Sequence, residues 1–180
     1  MTTIQLTSIL ITAILAIVGV RAAEDILIAD FEGATYGSWT ATGEAFGLGP
    51  ARGTLPGQMA VSGFKGKGLV NSFHKGDATT GMLTSPEFRI ERKFIAFLIG
   101  GGMDKEKLAL QLLVGGKIVR GATGPNDKAG GSEALAAESW DVAEFASKTA
   151  VLRIVDDAKG GSAKFESLQV HELKSAWTSR

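Results

Sequence analysis

Nine residues of this 180-residue chain have types and spacings that could do chemistry: Trp39, Asn71, His74, Arg120, Asn126, Asp127 and Glu133, and separately Asp30 and Glu32. Arg120 offers five N–H donors in a rigid fork. Asn126 adds an amide, Asp127 a carboxylate, and Glu133 a second carboxylate a few residues on. That mixture of donors and acceptors suits a vicinal diol. Any site for such a diol would be built from the stretch from Arg120 to Asp127 with Glu133, with Asn71 and His74 as neighbours. Pro125-Asn126-Asp127 also has the composition of a plain turn, and Arg120 that of a surface ion-pair partner. Trp39 follows Gly37-Ser38. An exposed indole there would stack on the apolar face of a sugar ring; a buried one would be core.

Asp30 and Glu32 lie two apart on or just after the first apolar run, hence on one face of a strand. Such a pair suits an oxygen-ligand structural calcium site joining that strand to a neighbouring loop. Solvated loop ends show the same pattern. Calcium is the only cofactor the residues suggest.

Catalytic chemistry finds less support. His74 and His171 are far apart in sequence and belong to neither an HExxH nor a Gly-x-Ser-x-Gly arrangement. Gly66-Lys67 and Gly116-Lys117 both lack the upstream glycine of a phosphate-binding loop, and no GxGxxG occurs. No nucleophile is paired with a base. The chain is expected not to be an enzyme.

Composition narrows the partners. Nineteen Lys+Arg balance nineteen Asp+Glu, and the sequence pI is near 6.7. Without a basic excess to displace counterions from phosphates, nucleic acid is not expected as a partner. The absence of cysteine excludes disulfides, thiolate zinc sites and thiol nucleophiles. Hydrophobic residues make up 44% of the chain, which suits one packed domain.

Ile9 to Val20 carries no charge, and Val20-Arg21-Ala22 follows the small-x-Ala pattern. This reads as a signal peptide over residues 1–22, with cleavage after Ala22 and one domain over 23–180. The alternative is an uncleaved anchor. The run falls short of the roughly 20 residues that span a bilayer, so no stable membrane insertion is expected after cleavage. The expected location is secreted, periplasmic or cell-envelope.

The positioning elements read as strands. Ile26–Ala29, Gly68–Phe73, Gly81–Ser85, Phe94–Ile99, Leu108–Val114, Lys117–Arg120, Thr149–Val155 and Phe165–Leu173 are short apolar runs between Gly, Pro, Asn and Asp. Phe94–Ile99 is continuously apolar, as in a strand buried on both faces. Leu108, Leu110, Leu112 and Val114 alternate, and Gly115-Gly116 then marks a hairpin with a primed turn. Ser139–Glu144 reads as one helical turn capped by Asp141, with Glu144 completing a capping box. Trp140 within it reads as core. Lys174–Arg180 reads as a frayed tail. About eight strands with glycine-rich connections predict an all-β fold, an antiparallel sandwich of jelly-roll type.

Several blocks together resemble a known family. They are Asp30-Phe31-Glu32-Gly33, Tyr36-Gly37-x-Trp39, Thr42-Gly43-Glu44-Ala45-Phe46-Gly47, the run from Pro50 to Gln58, and Gly66 to Phe73. Leu83-Thr84-Ser85-Pro86, Ile99–Gly102, Val119–Asp127, Gly131-Ser132-Glu133 and Ser139–Val142 complete the set. The chain resembles the accessory β-sandwich module attached to family 32 glycoside hydrolases, the levanase, inulinase and fructosidase group. The resemblance implies a β-sandwich and a fructan or related glycan as ligand. It does not imply catalysis: the fructosidase Trp-x-Asn-Asp-Pro, Arg-Asp-Pro and Glu-Cys motifs do not occur. The chain departs from the module in two places. Where the resemblance implies a hairpin strand reading Cys-x-Asn with an Asp-Gly turn, the chain has Ala109-Leu110-Gln111 with Gly115-Gly116. Where the resemblance implies Gly-Gly-Trp-Gly-His followed by Asn and Asp, the chain has Gly160-Gly161-Ser162-Ala163-Lys164, then Glu166 and Leu168. The first expectation is thus a secreted carbohydrate-binding module. The alternative is a structural or cell-envelope interaction protein that has lost sugar binding.

Overall fold

The computed structural model describes residues 24–128, 131–158 and 167–179. The expected signal peptide and the Gly160–Lys164 and Glu166 departures lie outside the described residues.

Among the described residues, thirteen strands form in chain order. They are β1 (Ile26–Ala29), β2 (Thr40–Gly43), β3 (Val61–Ser62), β4 (Val70–Asn71), β5 (Gly81–Thr84), β6 (Phe88–Arg89) and β7 (Phe94–Gly101). Then come β8 (Leu108–Val114), β9 (Lys117–Ala122), β10 (Glu133–Ala134), β11 (Ala136–Asp141), β12 (Thr149–Asp156) and β13 (Leu168–Ala176). Five of these the sequence does not read: β3, β6 and β10 are two-residue pairs too short to carry a period, β2 is a four-residue exposed strand without an apolar face, and the end of β11 reads as a helical turn. One sheet runs β1-β13-β7-β11, with β4 also on β13; the other runs β2-β5-β12-β8-β9, with β6 also on β12. Pairing within both is antiparallel, and the short β10–β3 pair, outside them, is parallel.

The sheets share one core. Ile95, Phe97 and Ile99 of β7 meet Leu110 and Leu112 of β8 and Leu152 and Ile154 of β12 in a single cluster. These are alternate residues on each strand, as a sandwich interior demands. The all-β antiparallel sandwich expected from the sequence is the fold that forms. The continuous apolar run of β7 has its own cause. Leu98, on the opposite face, is buried against Val61, Leu69 and Leu135 in a second cluster, so both faces of β7 are covered.

The β8–β9 hairpin turns through Gly115 (φ 57) and Gly116 (φ 75), the two positive φ values that a type I′ turn needs. Trp140 is buried, its ring 4.7 Å from that of Phe97. Two local expectations are corrected. Ser139–Asp141 closes β11 rather than opening a helical turn, and a short 3-10 helix, η1, follows at Ala143–Phe145. The Asp141 carboxylate does accept from the Ala143 N–H at 2.9 Å, but Glu144 pairs with Arg120 instead of closing a capping box. The last strand continues through Ala176 rather than fraying from Lys174. Ser175 pairs with both Ile26 and Ile95, so neighbours on both sides hold the strand.

Candidate functional site

Two of the nine nominated residues converge. Asn71 on β4 and Glu133 on β10 are both buried and are bridged by Gln58. The Gln58 amide Nε2 donates to Glu133 Oε2 at 2.9 Å and to Asn71 Oδ1 at 3.1 Å, and Asn71 Nδ2 donates back to Gln58 Oε1 at 2.8 Å. Ser167 Oγ donates to Glu133 Oε1 at 3.4 Å, and Gln169 Nε2 donates to Ser167 Oγ at 3.0 Å. Backbone holds the set in place: Asn71 Oδ1 accepts from the Phe73 N–H, and Gln58 Oε1 from the Leu55 N–H. Gln58 is half-buried and brings the cluster to the surface.

Two buried polar atoms beside this cluster have no partner among the described residues: Gln169 Oε1 and Asn126 Nδ2. Gln169 Oε1 and the Asn126 backbone both approach Gly101. The Asn126 N–H donates to the Gly101 carbonyl at 3.0 Å, and a Cβ on Gly101 would stand 2.8 Å from Gln169 Oε1. Gly101 has φ 93, so this close approach and the backbone conformation both call for glycine. Burial pushes the Glu133 carboxyl up to about 7, and the Asp77 charge adds to the rise; the Gln58 and Ser167 hydrogen bonds oppose it. Near neutral pH the carboxyl therefore exists in both protonation states, as acceptor or as donor. Of the cluster, Gln58 is the half-buried member, and its amide can both give and take a hydrogen bond.

The other nominated residues lie apart. Arg120 does not face this cluster. Its Nε and Nη2 donate to the Asp141 carbonyl at 3.2 and 2.9 Å, Nη2 also pairs with Glu144, and the guanidinium lies over the Phe145 ring. It clamps the hairpin to η1, so Arg120 and Asn126 do not form one loop site. Asp127 is exposed beside Asn126. His74 is exposed, packed over Gly47, and its N–H donates to the Ala45 carbonyl. Trp39 is half-buried, edge-on to Phe31 at 5.4 Å.

Asp30 and Glu32 do not present a calcium ligand set. Asp30 Oδ1 accepts from the Glu32 N–H, and the Glu32 carboxylate accepts from the backbone N–H groups of Lys67 and Gly68 at 2.9–3.1 Å. These N–H groups hold its pKa below the usual carboxylate value, Gly68 foremost. No group of three or more His, Asp or Glu among the described residues could hold a metal ion. Calcium asks for six or more oxygens, and these two carboxylates already serve backbone amides.

Sequence reasoning missed Gln58, Ser167 and Gln169. Gln58 stands in the Pro50–Gln58 run noted above, after Pro56-Gly57, but nothing in its spacing shows that it reaches β4 and β10.

No family model matches the chain. It is 45% identical over 142 residues to "Putative glycosyl hydrolase ecdE" of Aspergillus rugulosus; the match covers 77% of this chain and 19% of that protein. Among solved structures it resembles the K2 cleaved adhesin domain of Lys-gingipain, with 16% identity and a TM-score of 0.50, covering 84% of this chain and 98% of that one. The K1 cleaved adhesin domain of Lys-gingipain from Porphyromonas gingivalis W83 shows 16% identity and a TM-score of 0.49, covering 83% and 96%. The K2 likeness concerns the β-sandwich fold alone, and the chain spans less than one fifth of the hydrolase it matches.

Proposed function

We propose that this chain is a secreted, non-catalytic carbohydrate-binding module that works alongside a glycoside hydrolase, with a fructan such as levan or inulin as the first ligand to test. The observation that carries the reading is the cluster of Gln58, Asn71, Glu133, Ser167 and Gln169, with the unpartnered buried amide atoms of Gln169 and Asn126 beside it. Buried groups left unpaired penalise any occupant that cannot complete them, which is how a polar site selects a sugar by its hydroxyls. The similarity to a segment of a protein named as a glycosyl hydrolase supports the association with such an enzyme.

Isothermal titration calorimetry against fructans and other plant glycans tests the reading. Wild type should bind at least one neutral glycan, and Gln58→Ala, titrated at a temperature where circular dichroism shows it folded, should weaken that binding about tenfold or more. A wild type that binds no glycan would replace this reading with that of a structural or cell-envelope interaction protein.

A further inference from the structure

We propose that a second surface of the domain, running from the β1 edge of the sandwich onto the outer face of the β2-β5-β12-β8-β9 sheet, is a track for an extended neutral glycan chain. The proposal rests on the reading of the chain as a glycan-binding module, but it uses none of the residues around Glu133. Three grooves adjoin one another there. The first, about 250 Å³, lies between β1 and the turn before β2 and is lined by Asp30, Phe31 and Trp39. The second, about 260 Å³, shares Ile28, Ser38 and Trp39 with it and runs on to Pro86, Glu87 and Phe88. The third, about 660 Å³, shares Glu87 with the second and opens onto the outer sheet face at Thr84, Leu113, Val151 and Arg153.

A ligand that occupies the first two grooves must pass the Trp39 indole, which lines both. The indole is held edge-on by Phe31, a residue at φ 57, where a non-glycine backbone is strained. That rigid aromatic surface suits the apolar face of a sugar ring. At the far end, strand register sets the floor. Thr84 pairs with Arg153 and Arg153 with Gln111, while Val151 pairs with Leu113, so these side chains stand in rows on one face. Arg153 lines this groove, and a guanidinium offers several N–H donors to hydroxyl oxygens. The charges along the track offset one another: Asp30, Glu87 and Glu91 against Arg89, Lys148 and Arg153. No net field therefore selects a charged polymer. Three successive grooves call for several linked sugars rather than one terminal residue.

The test is a length series of neutral oligosaccharides, from disaccharide to polymer, titrated against wild type, Trp39→Ala, Arg153→Gln and Gln58→Ala, with thermal midpoints for each. The expected result is affinity that rises about tenfold or more with chain length in wild type and in Gln58→Ala. Trp39→Ala and Arg153→Gln should lose that rise. Because Trp39 packs on Phe31, Trp39→Ala can fail to fold. Arg153→Gln then decides, together with tryptophan fluorescence in a Trp177→Phe background, where the long glycan should shift the emission. Affinity independent of chain length, or a rise that survives in Arg153→Gln, overturns the track and leaves the module reading standing. A wild type that binds no glycan of any length overturns both.

Discussion

At the scale of single residues, Glu133 is the group whose surroundings alter it most clearly. Its raised pKa means that the folded chain holds the proton more tightly than the unfolded chain does. The folded state therefore loses stability as pH rises from the ordinary carboxyl value of 4.5 to about 7, and the loss levels off above that. Glu133→Gln cannot ionise. Chemical denaturation of both proteins over that window should show wild type falling relative to the variant by roughly 3 kcal/mol. Parallel curves would show that the carboxyl is solvated. Asp77→Asn should move the Glu133 midpoint down in an NMR titration, because it removes a like charge. Arg120 illustrates the opposite outcome. Its donors serve the Asp141 carbonyl and Glu144, so Arg120→Ala should cost about 1 kcal/mol of stability and leave glycan affinity unchanged. A loss of affinity without a loss of stability would return Arg120 to the sugar site.

At the scale of elements, β7 connects the core to the candidate site. Its inner residues fill the space between the sheets, and its last residue, Gly101, faces Ser167 and Gln169. A Cβ on Gly101 would stand 2.2 Å from the Ser167 carbonyl oxygen, and the backbone is at φ 93. Gly101→Ala should therefore cost about 1–3 kcal/mol and displace the start of β13, weakening any ligand held near Gln169. A variant with wild-type midpoint and wild-type binding would show that β13 shifts freely. Trp140 on β11 packs on Phe97 of β7. Trp140→Ala should lower stability by about 3–5 kcal/mol, read by thermal or urea unfolding; an unchanged midpoint would place the indole outside the core.

At the scale of the whole molecule, one core spans both sheets, and the folded domain should unfold in a single cooperative transition with coincident fluorescence and circular dichroism curves. Two separated transitions would show that the second cluster around Leu98 and Leu135 melts independently. The uncharged run from Ile9 to Val20 carries a further expectation: secreted material should begin near Ala23. Mass spectrometry that finds an intact Met1 on the exported protein would contradict it.

What the sequence by itself determined is local. Alternation in Leu108–Val114, the Gly115-Gly116 turn and the continuous run of Phe94–Ile99 specify strands, a hairpin and a doubly covered strand, because side-chain period and turn conformation depend on neighbours in the chain. These were enough for an all-β sandwich with Trp140 in its core. Tertiary structure alone decided which polar groups meet. Gln58 and Glu133 are 75 residues apart and hydrogen-bonded, whereas Arg120 and Asn126, six residues apart, are carried away from each other. Arg120 stays on β9, where its side chain meets η1, while Asn126 has left the strand and binds the end of β7. The Asp30–Glu32 pair, which sequence spacing alone makes look like a cation site, is committed to the amides of Lys67 and Gly68, because a loop more than thirty residues away folds back onto it. A strand sets which way a side chain points, but sheet order sets what it points at, and sheet order depends on contacts between distant segments that no local period records.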